Sequence, residues 1–284
     1  MSTAEQLTDP VSDHGEGPVW FAASGELRWV DMLAGDVLAL AADGSIRRNH
    51  VGTVAAALRP RVTGGFVVAV ERGFALDDGD GTPLRYLGDL WSDPRVRMNE
   101  GGCDPDGRFY CGSMAYDCAP GAGALHRLEV DGSTTTVIPR ATISNGLDWS
   151  PDGARAYYVD TPTQRVDVFD YEPTTGLTAR RAFVTIDEAD GSPDGLSVDA
   201  EGGVWVALWG GSQVRRYDPG ARLGVVIEVP ASQVTACTLG GERLDQLFIT
   251  TSRSGVPTGA EPLAGAVFSC AAGVAGQPVR PYRG

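Results

Sequence analysis

A short cassette recurs along the chain and constrains the fold more than any other feature. In three places a polar residue lies eight positions before the glycine of a tight turn, as in "SNGLDWSPDG", and a fourth copy is one residue longer. The cassettes begin at Glu16, Asn99, Asn145 and Asp194. Because self-similarity at a fixed spacing is the mark of a repeat architecture, we expect one structural unit for each cassette.

The spacing of the cassettes indicates six units. Successive starts are 83, 46 and 49 residues apart, and 83 is about twice the other two values. A further cassette, with a turn but no polar residue, therefore falls at Ala57, and a sixth begins near Ser232. Six units of roughly 47 residues account for the whole chain.

Each unit contains short β-rich runs separated by Gly, Asp and Pro turns. Examples are "FVVAVER", "ARAYYVD" and "GVWVALW", and no segment has the pattern of a long amphipathic helix. Four strands per repeat at this period are typical of a β-propeller, here all-β with six four-stranded blades around a central channel. An all-β sandwich would not explain the period. We assign residues 1–284 to one domain.

Composition excludes several classes of function. The net charge of −14 disfavours nucleic acid as a partner, and no apolar run approaches the roughly 18 residues that cross a membrane. Since all 23 basic residues are Arg, a Schiff-base or P-loop lysine is also excluded. The N-terminus has no secretory pattern, so we expect a cytoplasmic protein. Separately, we expect a monomer or a weak homo-oligomer. Five cysteines without a CxxC pair are expected to be reduced thiols in the core.

In a propeller the innermost strands line the channel, so equivalent residues at their starts should meet at one mouth. Glu16, Asn99, Asn145 and Asp194 would then bring carboxylate and amide oxygens together, with Ala57 leaving one side open. Such oxygen ligands suit Ca²⁺, Mg²⁺ or Mn²⁺, and Zn²⁺ is compatible with them. The alternative is that Asn-Gly and Asp-Gly are common turn dipeptides and that Asn and Asp residues often cap the starts of strands.

Other polar residues near these starts are candidate substrate contacts. Arg97 lies two residues before Asn99, hence on the same strand face, and Glu100 follows directly. Arg97 could hold substrate oxygens with its forked donors or merely neutralise the acidic ring. Asp117 lies where a neighbouring strand should end at the same mouth, although it could equally be a solvated loop residue. His14 is close enough to Glu16 to support the site, but a packing role is the simpler expectation.

The chain resembles the gluconolactonase/regucalcin-like (senescence marker protein) family of six-bladed propellers. The resemblance is carried by "GEGPVW", "RMNEGGCDPDGRFYCGSM", "SNGLDWSPDG" and "PDGLSVDAEGGVWVALWGG". It implies one divalent ion held by Glu16, Asn145 and Asp194, with Asp194 also the general base. Arg97 and Asn99 match positions that contact sugar hydroxyls, and Asp117 matches a nearby acidic position. The family commonly has Asn-Asp where this chain has Asn99 and Glu100.

From the resemblance we expect metal-assisted hydrolysis of a small-molecule sugar lactone to its aldonic acid. The ion, which could be Ca²⁺, Zn²⁺, Mg²⁺ or Mn²⁺, would polarise the lactone carbonyl while Asp194 accepts a proton from the attacking water. Two alternatives stay open at this point. One is a related propeller hydrolase acting on organophosphates or aryl esters, and the other is a non-enzymatic calcium-binding regulator.

Overall fold

The computed structural model describes residues 2–284 and shows six β-sheets in succession around one axis. The first three blades are built from strands whose bounds are as follows: β3 Gly15–Phe21, β4 Glu26–Asp31, β5 Asp36–Leu40, β6 Ile46–His50; β7 Ala55–Pro60, β8 Phe66–Val70, β9 Gly73–Asp77, β10 Arg85–Asp89; β11 Val96–Cys103, β12 Phe109–Ala115, β13 Gly123–Leu128, β14 Thr134–Ala141. The next two follow: β15 Ser144–Trp149, β16 Arg155–Asp160, β17 Arg165–Glu172, β18 Gly176–Thr185; β19 Ser192–Val198, β20 Val204–Trp209, β21 Gln213–Tyr217, β22 Leu223–Glu228.

The sixth blade combines both ends of the chain. Its three inner strands are β23 Val234–Gly240, β24 Gln246–Thr251 and β25 Val267–Ala271, and its outer strand is β2 Glu5–Gln6, which pairs antiparallel with β25. A further strand, β1 Ser2–Thr3, pairs in parallel with β22 and gives the fifth blade five strands. The N-terminal segment thus joins blade six to blade five and covers two sheet edges.

The six innermost strands contact one another in a closed ring, with β23 against β3 completing it. The predicted six-bladed, four-stranded propeller is confirmed. The cassette without a polar residue, expected at Ala57, is the innermost strand of blade two. The helical segments within residues 2–284 are three 3-10 turns, at Met32–Ala34, Thr161–Thr163 and Glu188–Asp190. None of the described helices is long and apolar enough to cross a membrane. The one-domain assignment and the cytoplasmic location stay predictions.

The hydrophobic core is divided among the interfaces between neighbouring blades. Residues of β16, β19 and β20 form one cluster, and residues of β20, β23 and β24 form another. Between blades three and four, the ring of Trp149 meets that of Tyr110 edge to face, with centroids 5.3 Å apart. Because alternate residues of every strand point into such an interface, the alternating pattern in the sequence translates directly into blade packing.

The C-terminal segment crosses the channel at the end where the innermost strands finish. Gln277 Nε2 donates hydrogen bonds to the carbonyls of Trp149 and Val198, both 2.9 Å away. Farther along, the backbone N–H of Tyr282 donates to the carbonyl of Pro60 at 2.8 Å. The segment therefore ties blades two, four and five together and covers that end of the channel.

Candidate metal and substrate site at the open mouth of the channel

The polar residue of each cassette lies where its strand departs from regular pairing. In β11, β15 and β19 the register shifts between the residues that flank Asn99, Asn145 and Asp194. In β3 the shift follows Glu16 directly. A bulge bends the strand and turns a side chain away from its regular direction, and here it turns four polar side chains towards one mouth of the channel.

The glycines after Asn145 and Asp194 are required by packing between innermost strands. A Cβ at Gly146 would lie 2.6 Å from the backbone nitrogen of Leu196, and one at Gly195 would lie 2.4 Å from the Cβ of Ala236. Both dipeptides lie within strands and not in turns. The turn-dipeptide alternative is therefore wrong for these two positions, and the glycines allow the ring of strands to close tightly.

A chain of hydrogen bonds fixes the amide side chains. Arg97 Nη1 donates to Asn99 Oδ1 at 2.8 Å, and Asn99 Nδ2 donates to Asn145 Oδ1 at 2.9 Å. Asn145 Nδ2 donates to Thr161 Oγ1 at 2.8 Å, and this hydroxyl donates to the carbonyl of Pro193 at 2.9 Å. The relay runs across blades three, four and five and sets which end of each amide is oxygen.

Two buried carboxyl groups face the same mouth with few partners. Glu16 Oε2 accepts one hydrogen bond, from the backbone N–H of Gly17 at 2.8 Å, and buried Asp194 Oδ1 accepts none. Burial raises the pKa of Glu16 to about 7. Burial raises the pKa of Asp194 well above its usual range, and the charges of Glu16 and Glu100 add to that shift. The charge of Arg97 lowers the pKa of both groups, and a bound divalent cation would lower it further and so favour both as anions.

The donor set fits a hard divalent cation. It offers two carboxyl groups, one of which has an unpartnered buried oxygen, and amide oxygens held in fixed orientation by the relay. Within residues 2–284, no cluster of three or more His, Cys, Asp or Glu side chains is arranged to hold a metal ion. A cation here would thus depend on amide oxygens as well as on carboxylates, which is chemistry that Ca²⁺, Mg²⁺ and Mn²⁺ accept.

These side chains form the floor of a pocket of about 350 Å³. Its lining includes six of the residues singled out from the sequence: His14, Glu16, Arg97, Asn99, Asn145 and Asp194. The upper wall is more apolar, with Leu33, Tyr116 and Trp209 among its residues. The pocket is large enough for a small ring and combines a polar floor with an apolar rim, as small-molecule sites commonly do.

Two of the predicted substrate contacts lie elsewhere. Glu100 lines a small separate cavity deeper in the channel, because successive residues of a strand point to opposite faces. Asp117 is exposed, and its Oδ1 accepts a hydrogen bond from the backbone N–H of Ala119 at 3.1 Å. It lies outside the pocket lining, although its neighbours Tyr116 and Cys118 belong to it. The geometry lends neither residue support as a substrate contact.

The pocket also contains residues that the sequence reasoning missed. Leu33, Thr161, Trp209 and Ser254 all come shortly after, or end, the second strand of a blade, at the same mouth where the first strand begins. Asp117 was singled out because it follows the second strand of its blade. The same criterion, applied to the other blades, would have found these four positions. Of the five free cysteines, Cys118 is exposed on the pocket rim and not in the core as expected.

Comparison with known proteins decides the family. Residues 14–253 match the family described as the SMP-30/Gluconolactonase/LRE-like region. The chain belongs to this family. The resemblance inferred from the motifs is thereby confirmed, and the match includes the residues that build the pocket floor.

Relatives within the SMP-30/gluconolactonase family cover nearly the full chain. Regucalcin of Danio rerio is 35% identical over 280 residues, which is 95% of each protein. A Bacillus subtilis protein named for sugar lactone lactonase activity is 32% identical over 279 residues, again 95% of each. Among solved structures, regucalcin of Agrobacterium tumefaciens, described as a calcium-binding protein, superposes with a TM-score of 0.92 at 29% identity and covers 99% of this chain and 98% of its own.

Proposed function

We propose that the protein is a metal-dependent lactonase that hydrolyses a sugar lactone to its aldonic acid. Membership in the family and similarity to a relative named for sugar lactone lactonase activity support the reaction class. The pocket supports it independently, because its floor combines a buried acid with donors for substrate oxygens.

The strongest support for a hydrolase is the unpartnered carboxyl oxygen of Asp194. Its carboxyl group is buried at the pocket floor, and Oδ1 has no hydrogen-bond partner within residues 2–284. A buried polar atom without a partner costs about 1–3 kcal/mol, so such an atom in a pocket points to a ligand or a reaction. The same carboxyl group can bind an ion through one oxygen and accept a proton from a water molecule through the other.

Glu16, Asn145 and Asp194 would hold the ion. A bound divalent ion would supply Lewis-acid polarisation of the lactone carbonyl and stabilise negative charge on its oxygen. Asn99 lies beside these residues and holds Asn145 in place, because its Nδ2 donates to Asn145 Oδ1.

The chain's own residues account for the proton movements. Asp194 Oδ1 accepts a proton from a water molecule whose oxygen bonds to the carbonyl carbon, giving a tetrahedral intermediate. When the intermediate collapses, the bond between that carbon and the ring oxygen breaks, and Asp194 returns the proton to the departing alkoxide. One water molecule is consumed, and the product is the open-chain hydroxy acid.

Arg97 is placed to orient the substrate. It is buried, its Nη1 donates to Asn99 Oδ1 and to the carbonyl of Met98, and its Nε has no partner within the described residues. The guanidinium also lies 5.7 Å from the ring centre of Tyr116. A rigid, partly unused cation of this kind suits the oxygen atoms of a sugar ring.

The test is acid release from a panel of aldonolactones, with metal-free protein and each divalent ion added back. We expect ion-dependent turnover that Asp194→Asn lowers by at least 100-fold, since it removes both the base and a charged ligand of the ion. Asp9→Asn makes the same chemical change on an exposed side chain and serves as the matched control. A near-normal rate in Asp194→Asn would refute the role of this carboxyl group.

A calcium-binding protein without turnover is the second candidate, favoured by the description of the Agrobacterium tumefaciens relative. The same experiment separates the two functions. Tight calcium binding, with every lactone opening only at the metal-only rate, would establish the binding protein. Aryl esters and an organophosphate belong in the panel, because faster turnover of either would identify a different hydrolase.

A further inference from the structure

His14 is locked in position between the first and last blades. Its backbone N–H donates to Asp31 Oδ1 at 3.0 Å, and its carbonyl accepts from the N–H of Met32 at 2.9 Å. It also forms an isolated bridge with Ser252 of the sixth blade. The imidazole lines the pocket and meets the ring of Trp209 edge to face, at a centroid distance of 5.9 Å. A side chain held by this many contacts presents its free edge in one fixed direction.

Ser252 engages one nitrogen of the His14 ring. Ser252 Oγ accepts from the N–H of Ser254 at 3.0 Å and lies 2.7 Å from His14 Nδ1. The contact with Nδ1 is a hydrogen bond in either neutral tautomer, because the hydroxyl can donate to a bare Nδ1 or accept from Nδ1–H. Nε2 is therefore the ring nitrogen that Ser252 leaves free.

The geometry leaves Nε2 facing open space at the site. Nδ1 faces Ser252, so Nε2 is the nitrogen on the pocket side, and it has no hydrogen-bond partner within residues 2–284. His14 precedes Glu16 by two residues and so lies on the same strand side as that carboxyl. The pocket floor is thus bordered by two rigid hydrogen-bonding groups, Arg97 from blade three and His14 from the start of blade one.

We propose that His14 determines substrate specificity through a hydrogen bond between Nε2 and one hydroxyl group of the bound lactone. This inference rests on the proposed lactonase function and names the kind of substrate group that the site recognises. Arg97 contacts oxygens on one side of the ring, and His14 forms a hydrogen bond with a hydroxyl on the other. A site with a fixed polar group discriminates against substrates that lack the matching hydroxyl.

The test compares His14→Leu with His14→Gln, whose side-chain amide can place an N–H near the position of Nε2. On the best aldonolactone we expect His14→Leu to lower kcat/KM by about 5- to 15-fold, the effect of one neutral hydrogen bond, while His14→Gln retains most of it. On the deoxy lactone that lacks the recognised hydroxyl, wild type and His14→Leu should agree within about twofold. Ser252→Ala, which removes the partner of Nδ1 and loosens the ring, should show a smaller loss on the parent lactone.

A binding measurement keeps this inference separate from the lactonase proposal. The aldonolactam corresponding to the best lactone, or gluconolactam if no lactone opens, is titrated by calorimetry into wild type and His14→Leu. Weaker lactam binding by His14→Leu supports the role of His14 even if wild type opens no lactone, a result that would refute only the lactonase. Equal lactam affinity, no lactam binding, or an equal loss on every deoxy lactone would overturn the inference. Changed affinity for Ca²⁺ or Mn²⁺ would also overturn it, because His14 would then act through the metal.

Discussion

Replacing Thr161 by Val should weaken metal binding without touching any metal ligand. The Thr161 hydroxyl accepts from Asn145 Nδ2 at 2.8 Å and donates to the carbonyl of Pro193 at 2.9 Å. Val has nearly the same shape and neither hydrogen bond, so the amide of Asn145 loses the contact that holds its oxygen towards the site. Loss of such a partner typically costs 10- to 100-fold in metal affinity, which is about 1.4 to 2.8 kcal/mol.

The variant should also lose a smaller amount of stability without metal. Two hydrogen bonds at a half-buried position are together worth about 1–2 kcal/mol, partly recovered by water. Calorimetric titration with Ca²⁺ and Mn²⁺ measures the affinity, and thermal unfolding of the metal-free protein measures the stability. Thr161→Ser keeps both hydrogen bonds and should bind metal as wild type does.

Thr163→Val is the matched control for the same 3-10 turn. Its hydroxyl donates to the carbonyl of Asp160 at 2.7 Å and takes no part in the relay to Asn145. Metal affinity in this variant should stay within about twofold of wild type. If Thr161→Val bound both ions as tightly as wild type, or if Thr163→Val lost as much affinity, the relay would have no role in holding the ligand.

Two further predictions concern stability. Burial lowers the pKa of His126 to about 4, so its neutral form stabilises the fold fully above the unfolded pKa of about 6.5, and this contribution falls as the pH drops towards 4. Urea titrations measure the free energy of unfolding. The difference in this quantity between wild type and His126→Phe should shrink by up to about 3 kcal/mol between pH 7 and 4. A constant difference would contradict the lowered pKa of His126. Deletion of residues 1–7 removes β1 and β2, so it should lower the Tm by about 5–10 °C and expose the edge of β25. Thermal unfolding measures the Tm, and size-exclusion chromatography detects association through the exposed edge. An unchanged Tm would refute a stabilising role of the N-terminal strands.

The fold was predictable because the repeat and the alternation act at different scales and agree. The 46- to 49-residue spacing counts the blades, and the alternating runs place the strands, so even Ala57 could be located without a polar residue to mark it. The contribution of β1 to blade five was not predictable. Two residues, Ser2 and Thr3, carry no pattern, and their pairing with β22 depends on where the ring leaves a free edge.

The floor of the pocket was predictable for the same reason, while its walls were not. Cassette position fixes which residue of each first strand faces the mouth, because every first strand has a bulge near the same point. Glu100 shows the limit of that reasoning, since adjacency to Asn99 in sequence means the opposite direction in a strand. The orientation of the His14 ring depends on Ser252, 238 residues away, and no local pattern carries that information.

The C-terminal segment over the far end of the channel affects how substrate enters and product leaves. Gln277 and Tyr282 are hydrogen-bonded to strands of several blades, so the C-terminal segment covers the far end of the channel, and substrate would reach the pocket through the open mouth. The acid formed from a lactone would leave against the inward flow of substrate, past the same rim of Tyr116 and Trp209. An acidic protein repels a newly formed anion. The overall charge of −14 therefore favours release of the acid product over its rebinding.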